Sequence, residues 1–262
     1  MKRLAWLLGV IGLAAVAAQA ESGYNRPLFS RENQQPDLHA LELGVLSQYQ
    51  RFDESAGLSG VDWKRKTFTV NPYARYGLLD NLAAFANVPY VSVDSKRVGK
   101  HSGLGDVSFG LELLAYEYVF GYPHGYPYIL PYFEVILPTG DEDKKLGRGK
   151  TDAVVGTSIG TTVAKDYHYV LDARYNVNYR DDDKGMFSLA TAFIWDVSRQ
   201  FSLMLEAKGT SEETTGKSRI PFYFRGGMFY RATDRLMLSW YGGGAVNADE
   251  DGMGALKIGY LF

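Results

Sequence analysis

The chain has 262 residues with 28 basic and 30 acidic side chains, a formal charge of −2, and no cysteine. This near balance gives no electrostatic footprint for nucleic acid, and the lack of cysteine excludes disulfides, thiol chemistry and a cysteine-linked lipid. Tyr (19), Phe (14) and Gly (29) are abundant, yet no stretch beyond residue 20 approaches eighteen apolar residues. Modest hydropathy with many aromatic residues is typical of membrane-spanning β-strands, in which every second residue faces away from lipid.

The first twenty residues predict a secretory signal peptide. Lys2 and Arg3 precede an uncharged run from Leu4 to Ala18, and Ala18-Gln19-Ala20 forms a small-x-small cleavage site. The apolar run is shorter than the roughly 20 residues that a membrane-spanning helix needs. We therefore expect cleavage after Ala20, which leaves 242 of the 262 residues and 26 basic against 30 acidic side chains.

Residues 21–37 are polar and aperiodic and contain two prolines. They predict an N-terminal arm that lies in the periplasm or plugs a lumen. The remaining residues, 38–262, alternate between apolar and polar side chains with the period of two that is typical of half-buried strands. The predicted strands cover residues 39–50, 67–76, 82–93, 106–117, 128–137, 151–163, 167–180, 187–197, 201–208, 220–231, 236–246 and 252–262.

The connections between these twelve strands alternate in length. Those near residues 78–81, 164–166, 198–200 and 232–235 are short. Those near residues 53–66, 94–104, 138–150, 181–185, 209–218 and 247–251 are mostly longer and charged. Short turns on one side and long loops on the other, with an even strand number, are typical of bacterial outer-membrane barrels whose short turns are periplasmic. The 118–127 link is long for such a turn.

The last predicted strand is strongly two-faced. Leu256, Ile258, Tyr260 and Phe262 are large and apolar, and small or polar residues lie between them. This strand resembles the closing strand of outer-membrane barrels, which implies that these four residues are recognised by the barrel-assembly machinery. Aromatic residues also fall at the short-turn ends of strands, where an interfacial girdle is expected. They are Tyr76, Tyr167, Tyr169, Trp195, Phe201, Tyr230, Tyr260 and Phe262.

These patterns predict an all-β, transmembrane, antiparallel up-and-down β-barrel of about 12 strands in the outer membrane of a Gram-negative bacterium. The alternative is a soluble lipocalin-like barrel or a two-sheet sandwich. Its small core would have to bury more large aromatic residues than it can hold, and the strand order suggests no Greek-key crossover. Four prolines inside strand patterns predict bulges or strand ends: Pro72, Pro89, Pro131 and Pro221.

Charged residues on the polar face are the candidates for a solute path through the lumen. They are Glu112, Glu134, Asp172, Arg174, Glu206, Lys208, Arg225 and Lys257 at mid-height, with Arg75, Asp196 and Arg231 nearer the periplasm. One interpretation is a constriction whose opposed charges select small polar or aromatic solutes. The other is a salt-bridged network that only holds the barrel's shape. Pairing is expected in both cases because an unpaired buried charge is costly.

No catalytic or metal site is predicted. None of the four histidines (His39, His101, His124, His168) has a serine two residues on, and His101-Ser102 is a loop dipeptide. The triplet Asp181 to Asp183 has oxygen ligands suited to Ca²⁺, but a solvated loop is the simpler interpretation. The sequence contains no zinc-ligand spacing, phosphate loop or dinucleotide fingerprint. We expect neither an enzyme nor a cofactor.

Three glycine-rich motifs carry a resemblance to a known family: Gly103-Leu104-Gly105-Asp106, Leu137-Pro138-Thr139-Gly140-Asp141, and Gly147-Arg148-Gly149-Lys150-Thr151-Asp152. With the leader and Phe262, they resemble the MetA-pathway of phenol degradation family of outer-membrane barrels. The motifs lie in residues 103–152, although the similarity covers most of the mature chain. The resemblance implies a transporter or channel for small, often hydrophobic or aromatic, compounds. It implies no site residues, and the phenol link assigns no substrate.

The sequence therefore predicts an outer-membrane channel that admits small compounds by passive diffusion or facilitated uptake. Its expected partners are outer-membrane lipid, a small-molecule solute and the barrel-assembly machinery. Two alternatives remain at this point. The first is a closed barrel with a structural or surface-interaction role carried by its charged loops, and the second is an outer-membrane hydrolase.

Overall fold

The computed structural model describes residues 27, 28, 30, 31, 35–55, 62–96, 99–115, 127–178, 185–211, 220–248 and 250–262. The expected signal peptide, most of the 118–127 link and the acidic triplet Asp181 to Asp183 lie outside these residues. Within the described ranges, no helix is long and apolar enough to cross a membrane.

The described residues form fourteen β-strands. They are β1 (Leu41–Ser55), β2 (Asp62–Leu79), β3 (Leu82–Asn87), β4 (Tyr90–Ser95), β5 (Gly99–Leu104), β6 (Val107–Leu113), β7 (Tyr128–Leu137), β8 (Asp152–Ala164), β9 (Tyr167–Asn176), β10 (Met186–Asp196), β11 (Phe201–Thr210), β12 (Phe222–Arg231), β13 (Leu236–Val246) and β14 (Glu250–Leu261).

These strands close into an antiparallel barrel, because β1 pairs with both β2 and β14. Strands β3 and β4 both pair with the long β2, each with a different part of it. On their other sides, β3 pairs with β6 and β4 pairs with β5. Two short strands thus take the place of one long strand at two neighbouring positions in the barrel. The fourteen strands therefore occupy twelve positions, as predicted. The first break falls at Val88-Pro89, where proline cannot donate to the ladder, and the second falls at Gly105-Asp106.

Several strands extend further than predicted. The predicted loop over residues 53–66 is largely strand, since β1 continues to Ser55 and β2 begins at Asp62. Residues 94–104 contain the hairpin of β4 and β5, and β14 already begins at Glu250. Charged side chains mark where a strand leaves the hydrocarbon, whereas backbone pairing continues into the water beyond it. In contrast, β9 ends at Asn176, short of the predicted residue 180.

The outer surface is an apolar belt, as the alternation predicted. On β6, Phe109, Leu111 and Leu113 are 39–48% exposed, while the intervening Ser108 and Glu112 are buried. Aromatic residues cluster at the short-turn ends of the strands. There the Tyr167 ring stacks at 5.8 Å on Phe193 and 5.9 Å on Trp195, and Tyr260 meets Phe262 edge-on at 4.7 Å. An apolar exterior on a closed sheet whose backbone groups are paired is the arrangement that lipid requires.

The inward face is not uniformly polar. Apolar side chains from many strands, most of them in the half of the barrel nearer the short turns, pack together inside the barrel and form what we call the apolar floor. It contains Ala40, Leu114, Tyr128, Leu130, Val170, Ala192, Ile194, Met204, Phe229, Met237, Tyr241, Met253 and Leu261. Leu28 of the N-terminal arm packs against it. The inside of the barrel therefore combines a packed apolar cluster with buried charged side chains.

The three glycine-rich motifs meet in one place. The connection from β7 to β8 folds back over the break between β5 and β6. There the Asp106 carboxylate accepts hydrogen bonds from the backbone N–H of Gly140 (3.0 Å) and Arg148 (2.7 Å). The Thr139 hydroxyl donates to the Gly105 carbonyl at 2.7 Å. The motifs thus form a folded loop, which their separate interpretation as turn residues did not predict.

Candidate solute path in the lumen

A buried guanidinium links three strands near the short-turn end of the barrel, where Glu42 pairs with both Arg75 and Leu261. Arg75 on β2 donates to Glu42 on β1 at 2.8 Å, and its other terminal nitrogen donates to Glu112 on β6. The first contact follows from register, because Glu42 and Arg75 are paired residues and so point to the same face. All three side chains are at least nine-tenths buried. Charges so deep inside a barrel persist only when paired and hydrogen-bonded.

A second ion pair lies across the lumen. Arg174 donates to Asp172 through Nε (2.9 Å) and Nη2 (2.7 Å), and the Tyr132 hydroxyl donates to the same carboxylate at 3.0 Å. The Tyr132 ring lies flat over β8, where a side chain on Gly156 would come within 2.3 Å of it. Glycine is therefore required at this close approach.

The other three predicted cations have separate contacts. Arg225 pairs with Glu250 and also donates to the carbonyls of Phe224 and Gly244. Lys208 lies 4.7 Å from the Tyr223 ring centroid, and Lys257 lies 5.3 Å from that of Tyr73. The predicted lumen residues all lie on the inward face, but they form separate groups. Their role in solute passage stays a prediction.

The N-terminal arm enters this charged region. Arg31 donates to Glu112 at 3.0 Å and to Glu134 at 3.4 Å, and its guanidinium lies 4.3 Å from the Phe85 ring centroid and 4.1 Å from that of Tyr132. Its backbone carbonyl accepts hydrogen bonds from the hydroxyls of Tyr128 (2.9 Å) and Ser158 (2.5 Å).

The arm is also held through its backbone. The N–H groups of Leu28 and Ser30 donate to the Glu206 carboxylate at 2.9 and 3.3 Å. Further along, the Gln35 side chain donates to the Glu112 carbonyl at 2.8 Å. Glu206, predicted as a path residue, thus anchors the arm in this structure.

A cavity of about 180 Å³ lies beside the arm. Four cations line it (Arg31, Arg75, Arg174 and Lys257), together with Leu28, Phe85 and Glu112. Its volume is comparable with that of engineered protein cavities that bind benzene. The lumen can therefore hold a small ring beside charged groups without further opening.

Sequence reasoning missed five residues of this region: Arg31, Glu42, Tyr73, Phe85 and Tyr132. Glu42, Tyr73 and Tyr132 carried a signal, because they alternate inward with their strands. Phe85 and Arg31 carried none, since no alternation was recognised over residues 82–93 and the arm has no periodicity. Tyr73 donates to Glu42 at 2.8 Å and so belongs to the same network.

His168 has partners that the sequence did not indicate. Its Nε2 lies 2.9 Å from Asp196, and its Nδ1 lies 3.2 Å from the Thr162 hydroxyl. Asp196 also accepts from Ser202 at 2.6 Å. These contacts connect β8, β9, β10 and β11 at the short-turn end of the barrel. The other described strand-end histidine, His39, contacts Tyr76 at 3.1 Å.

A closed twelve-position antiparallel barrel with an apolar belt and an aromatic girdle defines a bacterial outer-membrane β-barrel. The chain belongs to the family described as Putative MetA-pathway of phenol degradation, which it matches over residues 44–255. This confirms the resemblance seen in the motifs. A search of curated proteins finds no match.

Solved outer-membrane barrels share the fold. The COG4313 outer membrane channel from Pseudomonas putida F1 aligns with a TM-score of 0.71 and 15% identity over 92% of this chain and 99% of that chain. The translocator domain of the autotransporter NalP from Neisseria meningitidis gives 0.55 and 12% over 85% and 88%. The NanC porin gives 0.53 and 9% over 84% and 98%. These similarities show that the chain shares the outer-membrane barrel fold.

Proposed function

We propose that the protein is an outer-membrane channel for small hydrophobic or aromatic compounds, which pass by diffusion or facilitated uptake. The observation that carries the proposal is the lumen itself, in which a ring-sized cavity is lined by charged groups, by Phe85 and by Leu28, and Leu28 in turn packs on the apolar floor. Family membership and the fold shared with a protein described as an outer membrane channel support it.

The arm, residues 21–37, plugs this path in the resting protein. Support comes from its described part, which reaches Glu112, Glu134 and Glu206 inside the barrel. These carboxylates then have two roles, since they hold the arm when it is in place and line the path when it is displaced. Export depends on cleavage after Ala20, and assembly depends on Leu256, Ile258, Tyr260 and Phe262 on β14.

Solute entry into proteoliposomes tests the proposal. Methyl and phenyl glucosides form a matched pair, because both carry a sugar that bilayers exclude and only one carries an aromatic ring. We expect the phenyl compound to enter at least as fast as the smaller methyl compound, and both to enter faster when residues 21–37 are deleted. Entry ordered by size alone would contradict the aromatic preference. No entry in either form would contradict the channel.

The closed barrel is the second candidate, because one observation favours it. Tyr128, Leu130, Ile194, Met237 and Leu261 on the apolar floor are fully buried, so the floor leaves water no access to them. A barrel closed in this way acts through its extracellular loops. The deletion of residues 21–37 separates the candidates, because a closed barrel stays impermeable without its arm.

A further inference from the structure

We propose that the place held by the Arg31 guanidinium is a binding site for organic cations that combine an ammonium or guanidinium head with a compact apolar body. This inference rests on the proposed channel function and names the class of solute that displaces the arm. Arg31 then acts as a built-in competitor for the solute.

The barrel wall supplies a complete cage for a cation. Glu112 and Glu134 lie within 3.0 and 3.4 Å of Arg31, and the faces of Phe85 and Tyr132 lie 4.3 and 4.1 Å from it. Acidic oxygens with aromatic faces are the chemistry that recognises ammonium and guanidinium groups. The arm itself contributes only the cation.

The cage depends on two glycines that leave room for its rings. A side chain on Gly110 would come within 2.5 Å of Phe85, and one on Gly156 would come within 2.3 Å of Tyr132. Each ring therefore packs against the backbone of the neighbouring strand at its paired glycine. The cage is part of the folded wall and does not depend on the arm to form.

Charge requires a cation at this place. Arg75 is shared between Glu42 and Glu112, so these three groups carry one net negative charge. Glu134 adds a second, and its side chain is only 18% exposed. Asp172 and Arg174 balance each other, and Lys257 on the same cavity offsets one of the two charges, so one negative charge remains without Arg31. When Arg31 leaves, this excess negative charge faces aromatic rings, and an uncompensated buried carboxylate is strongly unfavourable. A bound ammonium neutralises this negative charge. A neutral solute leaves the charge uncompensated, and an anion adds to it.

The arm also shows where the apolar body of the solute belongs. Leu28 packs on the apolar floor, three residues before the cation in the cage. Three residues span at most about 10 Å, so the two contacts are close enough for one small arylalkylamine to reach both. The 180 Å³ cavity beside the arm is bordered by Leu28, Phe85, Glu112 and Arg31, and so joins the two regions. An amine head and an aryl or alkyl body match the two contacts that the arm makes.

Calorimetric titration of the folded barrel in detergent tests the site without any transport. The probes are phenethylamine, 2-phenylethanol and phenylacetate, which share a ring and differ in charge. We expect Arg31→Ala to bind phenethylammonium about tenfold more tightly than the unaltered protein, as removal of a charge-assisted competitor allows. The alcohol and the acid should bind at least about tenfold more weakly than the amine to this variant.

Further variants locate the binding. Adding Glu134→Gln to Arg31→Ala should weaken phenethylammonium binding about tenfold. Adding Asp251→Asn, which removes the same charge from a half-exposed pair with Arg51, should leave it unchanged. The variant lacking residues 21–37 exposes the cage in a second way and serves if Arg31→Ala does not fold, as checked by circular dichroism.

Equal binding of all three probes by the folded variants would overturn the proposal, and so would binding that ignores Glu134→Gln. The proposed channel fails separately. If the barrel binds the amine tightly but admits no solute, the proposed channel function is contradicted and the binding site is retained. If solutes enter but the amine does not bind, only the binding site is contradicted.

Discussion

Replacement of Arg75 by methionine should strongly destabilise the barrel. The substitution keeps the length of the side chain but leaves Glu42 and Glu112 without the cation that links them. These carboxylates are 0% and 3% exposed, so water cannot take its place. Breaking a buried ion pair by removing one partner costs about 3–5 kcal/mol. With a urea m value near the upper end of about 1–3 kcal/mol per M, the unfolding midpoint falls by roughly 1–2 M.

The assay is urea unfolding of the refolded protein, followed by tryptophan fluorescence. Arg51→Met is the matched control, because Arg51 and Asp251 are about half exposed and such a pair contributes less than about 1 kcal/mol. Adding Glu42→Gln and Glu112→Gln to Arg75→Met should recover most of the lost stability, since neutral amides need no counter-charge. A single variant as stable as the unaltered protein, or a triple variant no better than the single one, would refute the reasoning.

Three further predictions concern the folded loop and the last strand. Asp106→Ala removes the acceptor for Gly140 and Arg148, so trypsin should cleave the 138–150 loop about tenfold faster; Asp143→Ala should not change the rate. Hydrogen bonds from Lys144 lower the pKa of Asp141. Its stabilisation is thus complete above the ordinary aspartate pKa and is lost as pH falls through the depressed value; an NMR titration midpoint at the ordinary value would contradict this. Phe262→Ser should reduce the amount of assembled barrel in cells several-fold but leave refolding in detergent unchanged. The hydrogen bond of residue 262 to the Leu41 carbonyl comes from its backbone N–H, which serine retains. Equal losses in both assays would indicate a stability effect instead.

The strand pattern predicted the barrel because one physical rule, lipid on one face and lumen on the other, applies to every residue of the wall. It failed where that rule ends. Arg65 and Lys66 belong to β2 although they are charged, because strands continue into water where side chains no longer have to be apolar. Pro89 was recognised as a possible break, since the missing N–H is visible in the sequence.

The lumen was less predictable because its contacts join distant strands. Arg75 and Glu112 were both identified as inward charges, but no local pattern shows that they meet. Tyr128 and Leu130 were expected on a strand, yet nothing in the alternation shows that they close an apolar floor. Arg31 lies in an aperiodic arm, and its position follows only from the acidic and aromatic groups that receive it.

The most direct measurement of the central claim is single-channel conductance of the mature protein in a planar bilayer, before and after deletion of residues 21–37. If the lumen is a solute path occupied by the arm, the deletion produces larger and more frequent conductance steps, and Glu134→Gln shifts their ion selectivity away from cations. Silence from both the complete and the shortened barrel would contradict the account, because a path blocked only by the arm must conduct once the arm is gone.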